Sequence, residues 1–386
     1  MPTPMPSKAR SLLARIAGIA LALWAIAALL PSVVSAEPAA PLVPVALSSE
    51  AQQFFAAVRA NFEVFDRNHD GKLTREEIEI DMQDPRITGS AAAALAAFKV
   101  GATRSNYLNE TKTYTLADID AMEGTLRAGQ KLVPNLVGYF VAGRKKQAGV
   151  PRQLFAQGSP HLIAISQSWT TDCYFLSTVG ALAQARPDSL VRLITPNSDG
   201  TYTVAFPGKP PVRLHAPTDG ELAAYSDATD GIWLSLLEKA YGIVRIGDEP
   251  KQPFTEEPLD SVGFRTGNPS VVAILTGHAY REIDLPHKTN RPAGERLFED
   301  FRGELRSAFH DYRVVMLGNS HHVYAITGYD PVTDIVTIHN PQNRSSTETL
   351  VDGSKVQSTG GFFTVPAVEV VNNFNYVYFE LNRQRS

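Results

Sequence analysis

The sequence predicts an α+β protein in which a small all-helical segment precedes a larger mixed one. Apolar residues recur at helical spacing from Ser49 to about Arg127. From about Gly158 to the end, helices and strands alternate irregularly. The chain has 386 residues and 44% hydrophobic content, enough for a full core and for more than one domain.

Lys8, Arg10 and Arg15 precede an apolar run from Ile16 to Leu30, broken by Pro31. Val34-Ser35-Ala36 then offers small residues before Glu37. This is the pattern of a secretory signal, expected over 1–36 with cleavage near Ala36. The run is shorter than the roughly 20 residues a membrane span needs. The mature chain is therefore expected to be exported, periplasmic or secreted, without membrane attachment. Residues 37–48 are rich in Pro, Ala and Val and read as a linker. A net charge of -4 with 20% charged residues points to neither a nucleic acid nor a membrane surface as partner. The single cysteine, Cys173, excludes an intrachain disulfide. A lone thiol in an exported chain is either hidden or used, and composition leaves both open.

Phe54, Phe55, Val58, Phe62 and Phe65 mark one face of the first helix. The twelve residues Asp66–Glu77 follow, with the spacing of an EF-hand calcium loop. Calcium takes oxygen ligands. Asp66, Asn68 and Asp70 offer side-chain oxygens, Gly71 the sharp turn, and Lys72 its backbone carbonyl. Thr74 would act directly or through water, and Glu77 would close the site with two oxygens. Thr74 and Glu77 also form a capping box that starts the next helix. Ser90 to Val100 is a further helix, and Thr115 to Asp118 caps another that reaches about Arg127. In this second unit Tyr107, Asn109 and Thr111 fall on the early ligand places and Lys112 on the glycine place. That loop is expected to be a structural partner without calcium. Residues 49–127 thus read as an EF-hand pair, and 128–157, with several Gly and Pro, as a linker or strap.

Thr170, Thr171 and Asp172 are natural helix caps, and Leu176, Val179, Leu182 and Ala183 follow at helical spacing. Cys173 is therefore expected at a helix N-terminus, where the dipole favours the reactive thiolate. A thiolate nucleophile needs a base, and the base an orienting group. His322 to Tyr329 and Asp334 to Asn340 read as two strands of a hairpin around Asp330-Pro331. A turn centred on Pro331 places His322 directly opposite Asn340, on one face, with His321 on the other.

Gln167, six residues before Cys173, and Asp172-Cys173-Tyr174-Phe175-Leu176 resemble the active-site signature of the calpains. Trp233 to Tyr241, Asp199 to Val204, His322 to Ile326, Asn340-Pro341 and Gly360 to Phe363 are similar to the family's later segments, in the same order. The resemblance spans about 158–382. It implies a papain-like two-lobed protease core over 158–386, acting on proteins or peptides. It implies Cys173 as nucleophile, His322 as base then acid, and Asn340 as orienter of His322. Gln167, with the Cys173 N–H, would supply the oxyanion hole. The sequence departs from the family at Thr171, where Gly is usual, and at Gln342, where Trp is usual. Thr276-Gly277-His278-Ala279-Tyr280 matches the family's histidine motif in wording, but chain order favours His322. An acyl transferase using the same residues and an inactive calcium-binding interaction protein are the alternatives.

Overall fold

A computed structural model describes residues 45–104, 113–248, 259, 262, 269–286, 294–350 and 352–381. The expected export signal and the ligand-place residues of the second loop (Tyr107, Asn109, Thr111, Lys112) lie outside them. Among the described residues no helix is long and apolar enough to cross a membrane. The fold is mixed α+β, with helices dominating the first part and four sheets the rest.

Five helices come first: α1 (Ser49–Phe65), α2 (Arg75–Met82), α3 (Gly89–Arg104), α4 (Leu116–Arg127) and α5 (Leu136–Gly149). Four of their starts follow from side chains that accept orphan N–H groups, Asn135 doing so for α5. Ser48 caps α1, and Thr74 with Glu77 and Thr115 with Asp118 form capping boxes on α2 and α4. The fifth helix falls where a linker was expected. One of its glycines serves close packing: a Cβ on Gly143 would meet the Ala223 Cβ at 3.1 Å. Phe54, Phe98 and Phe140 join α1, α3 and α5, with ring centroids 5.6–5.8 Å from Phe54. Each such buried ring is worth about 1.5–3 kcal/mol over exposure.

The second part opens with β1 (Ile165–Ser166), α6 (Cys173–Ala185) and α7 (Pro187–Val191). Strands β2 (Ile194–Pro196), β3 (Tyr202–Val204) and β4 (Val212–Leu214) make a small antiparallel sheet. Next come α8 (Asp219–Ala224), β5 (Asp227–Ala228, paired with β1), α9 (Trp233–Asp248) and α10 (Ser270–Thr276). The last stretch holds β6 (Tyr280–Asp284), α11 (Glu295–His310), β7 (Val315–Gly318), β8 (Val323–Asp330) and β9 (Ile335–His339). It ends with β10 (Ser346–Thr349), β11 (Lys355–Ser358), β12 (Phe362–Pro366), α12 (Ala367–Asn373) and β13 (Tyr376–Glu380). The main sheet has six strands in the order β12-β9-β8-β7-β13-β6. The apolar α6, buried nearly all round, packs on one face of this sheet, where Cys173, Val323 and Ala325 share a core. Phe301 and Leu305 of α11 and Val370 and Val371 of α12 cover the other face.

From Ala46 onward the chain is one compact unit. The helical part and the mixed part are joined through α8, whose Ala223 and Ala224 belong to the core of α1, α3 and α5. The Thr218 hydroxyl, at the cap of α8, donates to the Met82 carbonyl at the end of α2.

Candidate active site

The helix expected at the lone thiol begins at Cys173 itself, and Asp172 stands at its cap. The backbone N–H groups of Val323, the residue after His322, and of Tyr174 and Cys173 act on the sulfur to lower its pKa. The Ser177 hydroxyl donates to the Val323 carbonyl at 2.8 Å, so one turn of α6 is fastened to the start of β8. Helix start and histidine strand thus meet at Val323.

His322 Nε2 lies 2.9 Å from Asn340 Oδ1. The expected pairing of these two residues is made, but the expected register is not. Ala325 faces His339 and Ile326 faces Ile338. Continued outward, this puts Tyr324 opposite Asn340, with His322 two residues further along. The four residues Pro331–Asp334 form the turn, and a bulge interrupts the pairing between Ile326 and Gly328. His322 reaches Asn340 diagonally, which the length of both side chains allows. The ring of Tyr324 stands edge-on to the His322 ring, centroids 4.7 Å apart. Gln342, where the resemblance expects Trp, is exposed, and its N–H donates to Asn340 Oδ1 at 3.0 Å.

Gln167 is buried on the turn before Cys173, and its N–H donates to the Pro341 carbonyl at 2.9 Å. Its Nε2 donates to the Thr170 carbonyl at 2.8 Å and to Asp172 Oδ1 at 3.1 Å. Both amide hydrogens are therefore engaged within the turn, and neither is free for an oxyanion. This differs from the expected role because Asp172, fully buried, draws donors inward; the Ser226 hydroxyl also gives it a bond, 2.9 Å to Oδ2.

The thiolate expected at the helix start is not favoured. Burial pushes the Cys173 thiol up to about 11, and the adjacent Asp172 charge adds to this, against the N–H groups that lower it. Burial also lowers His322 below the usual imidazole range, outweighing the Asn340 hydrogen bond and the Glu348 charge. Burial thus favours the neutral form of both the thiol and the imidazole.

Nothing in the sequence signals the charged group behind Cys173. Lys146 of α5 exposes part of its stem, but its ammonium end is enclosed. It donates to the Tyr225 carbonyl and, at 3.1 Å, to the Ser168 hydroxyl. Asp227, Glu238 and Asp172 are the charges that act on it. Glu238 also acts on Asp172, countering part of the rise that burial causes there. Burial lowers the Lys146 ammonium and raises the Asp172 and Asp227 carboxyls, while the lysine's charge opposes the rise at Asp227. His278 stands elsewhere, with Nδ1 at 2.6 Å from Glu380 Oε1, which Arg186 also holds.

In the first loop, Gly71 takes the left-handed conformation (φ 81°) the turn requires. Asp66 accepts the N–H groups of Asp70 and Gly71 at 3.1 and 2.8 Å. Asn68 accepts the N–H of Asp70, and Asp70 that of Lys72, each at 2.9 Å. Glu77 accepts from the N–H and hydroxyl of Thr74 at 2.8 and 2.7 Å and from the Asn68 N–H at 3.3 Å. Burial alone would raise the Glu77 carboxyl, but these donors outweigh it and hold it low. Among the described residues no three His, Cys, Asp or Glu side chains are gathered as a metal cluster; the loop's oxygens are held by its own donors. Leu73 pairs with Tyr114 as an antiparallel bridge, tying this loop to the segment before α4. No family model and no curated protein matches the chain.

Proposed function

We propose that this chain is an exported, calpain-type cysteine endopeptidase with a papain-like core, preceded by a calcium-binding EF-hand pair. The observation that carries the reading is the meeting of the Cys173 helix start with a His322–Asn340 hydrogen bond at Val323. His322 Nδ1 takes the thiol proton as sulfur attacks the scissile carbonyl, and returns it to the leaving amine. Water then hydrolyses the thioester by the reverse route, with His322 again the base. The Cys173 N–H faces the developing oxyanion, and Gln167 joins it by exchanging Asp172 for the new charge.

The raised thiol and the inward-turned Gln167 favour a second reading, an interaction protein on a closed protease fold. One experiment separates the two. Incubation with an unfolded protein yields new N-termini, and a peptidyl fluoromethyl ketone, losing fluoride as the thioether forms, adds the inhibitor mass less HF to the peptide holding Cys173. No cleavage and no adduct at any calcium concentration would sink the protease reading.

The oxygen donors of Asp66, Asn68, Asp70, Thr74 and Glu77 and the Lys72 carbonyl suit a hard cation, which would replace the N–H groups as their partner. Calcium is expected to raise the melting temperature of the wild type. Free calcium at 100 times Kd stabilises by about 2.7 kcal/mol. Glu77→Gln should remove most of that response, and an equal response in the variant would rule the loop out.

A further inference from the structure

We propose that Glu348 is a positioning residue of this site, fixing which end of the Asn340 amide faces His322. The proposal rests on the reading of Cys173 and His322 as the reacting pair. An Asn amide is nearly symmetric in shape, and a half-turn exchanges its acceptor for its donor. Something must choose. The Glu348 Oε1, on β10, lies 3.1 Å from Asn340 Nδ2. A carboxylate only accepts, so the NH₂ end must face it. The oxygen end is then turned to His322 Nε2, at 2.9 Å.

The consequence passes on to the imidazole. Asn340 Oδ1 also only accepts, so Nε2 must carry the hydrogen. Nδ1 is left with the lone pair, which is the state a base for Cys173 needs. Glu348 is itself held in place: the Ser346 hydroxyl donates to the same oxygen at 2.8 Å. The chain of constraint runs Glu348, Asn340, His322, with each group fixing the hydrogen-bond sense of the next. The Gln342 N–H supports the same orientation from the backbone side.

The test compares Glu348→Gln, which keeps an acceptor oxygen, with Glu348→Ala, which does not. The readouts are the ¹⁵N shifts of His322, which report its tautomer, and kcat and KM on a peptide substrate. Wild type and Glu348→Gln should show a single Nε2–H tautomer and similar kcat. Glu348→Ala should show mixed tautomers and a kcat about 10–10² lower, with KM unchanged, as when a group orienting a catalytic ligand is removed. Wild-type tautomer and kcat in Glu348→Ala would overturn the proposal, as would a Gln variant indistinguishable from the Ala one. A wild type with the expected tautomer but without peptidase activity would sink the protease reading and leave the tautomer test standing.

Discussion

Cys173→Ala and His322→Ala are each expected to reduce kcat on the order of 10⁴–10⁶-fold, and the double variant no further, because nucleophile and base act as one unit. The buried thiol makes the base indispensable. With the thiol at about 11, only about 10⁻⁴ of it is thiolate at pH 7. His322→Ala should therefore recover about tenfold per pH unit as pH rises toward 11, following the thiolate. The wild type should not, since its imidazole accepts the proton during attack. Burial lowers His322, so wild-type activity should fall on the acid side only below the usual imidazole range. Rate measurements from pH 5 to 10 check both limbs. Substantial activity in Cys173→Ala at any pH would remove that residue as nucleophile.

Lys146→Met is expected to cost about 3–5 kcal/mol, the usual penalty for leaving buried charge without its partner. Asp227, Glu238 and Asp172 all act on the enclosed ammonium, and its charge opposes the rise of the Asp227 carboxyl. The methionine would fit the stem but not compensate the carboxyls. The deficit has a sign with pH. Burial raises the folded-state pKa of Asp172 and Asp227, so the penalty is absent below the ordinary carboxylate range and grows as pH rises through the raised values. Urea unfolding at pH 5 and pH 8, with exposed Lys145→Met as control, gives both magnitude and slope. A loss under 1 kcal/mol at pH 8 would mean that the cluster is neutral without Lys146.

Local chemistry was the legible part of this chain. Thr74 with Glu77, Thr115 with Asp118, and the caps before Cys173 each declare a helix start within a few residues, and each helix begins there. The hairpin of β8 and β9 was equally plain. Its register was not, because the turn occupies Pro331–Asp334 instead of centring on Pro331, and a bulge, which has no signature in composition, then shifts the pairing by one residue. The fifth helix was hidden by Gly138, Gly143 and Gly149, which weaken a helical pattern even where, as at Gly143, they let two backbones approach. The charged group behind Cys173 was out of reach for another reason. Its members come from α5, the α6 cap, β5 and α9, and only the fold makes them neighbours.

The bulge in β8 sets a parity. Side chains alternate between the faces of a strand, so an offset of one residue moves every later side chain to the other side. From Gly328 to Asp330 the partners run Thr337, Val336, Ile335; beyond the bulge they run Ile338, His339 from Ile326 and Ala325. Carried unbroken to the open end, the first series would leave His322 and Asn340 on opposite faces. The extra residue at Thr327 returns them to the same one. A longer Pro331–Asp334 turn would leave this pairing unchanged, while deleting one residue between Ile326 and Gly328 would put His322 and Asn340 on opposite faces.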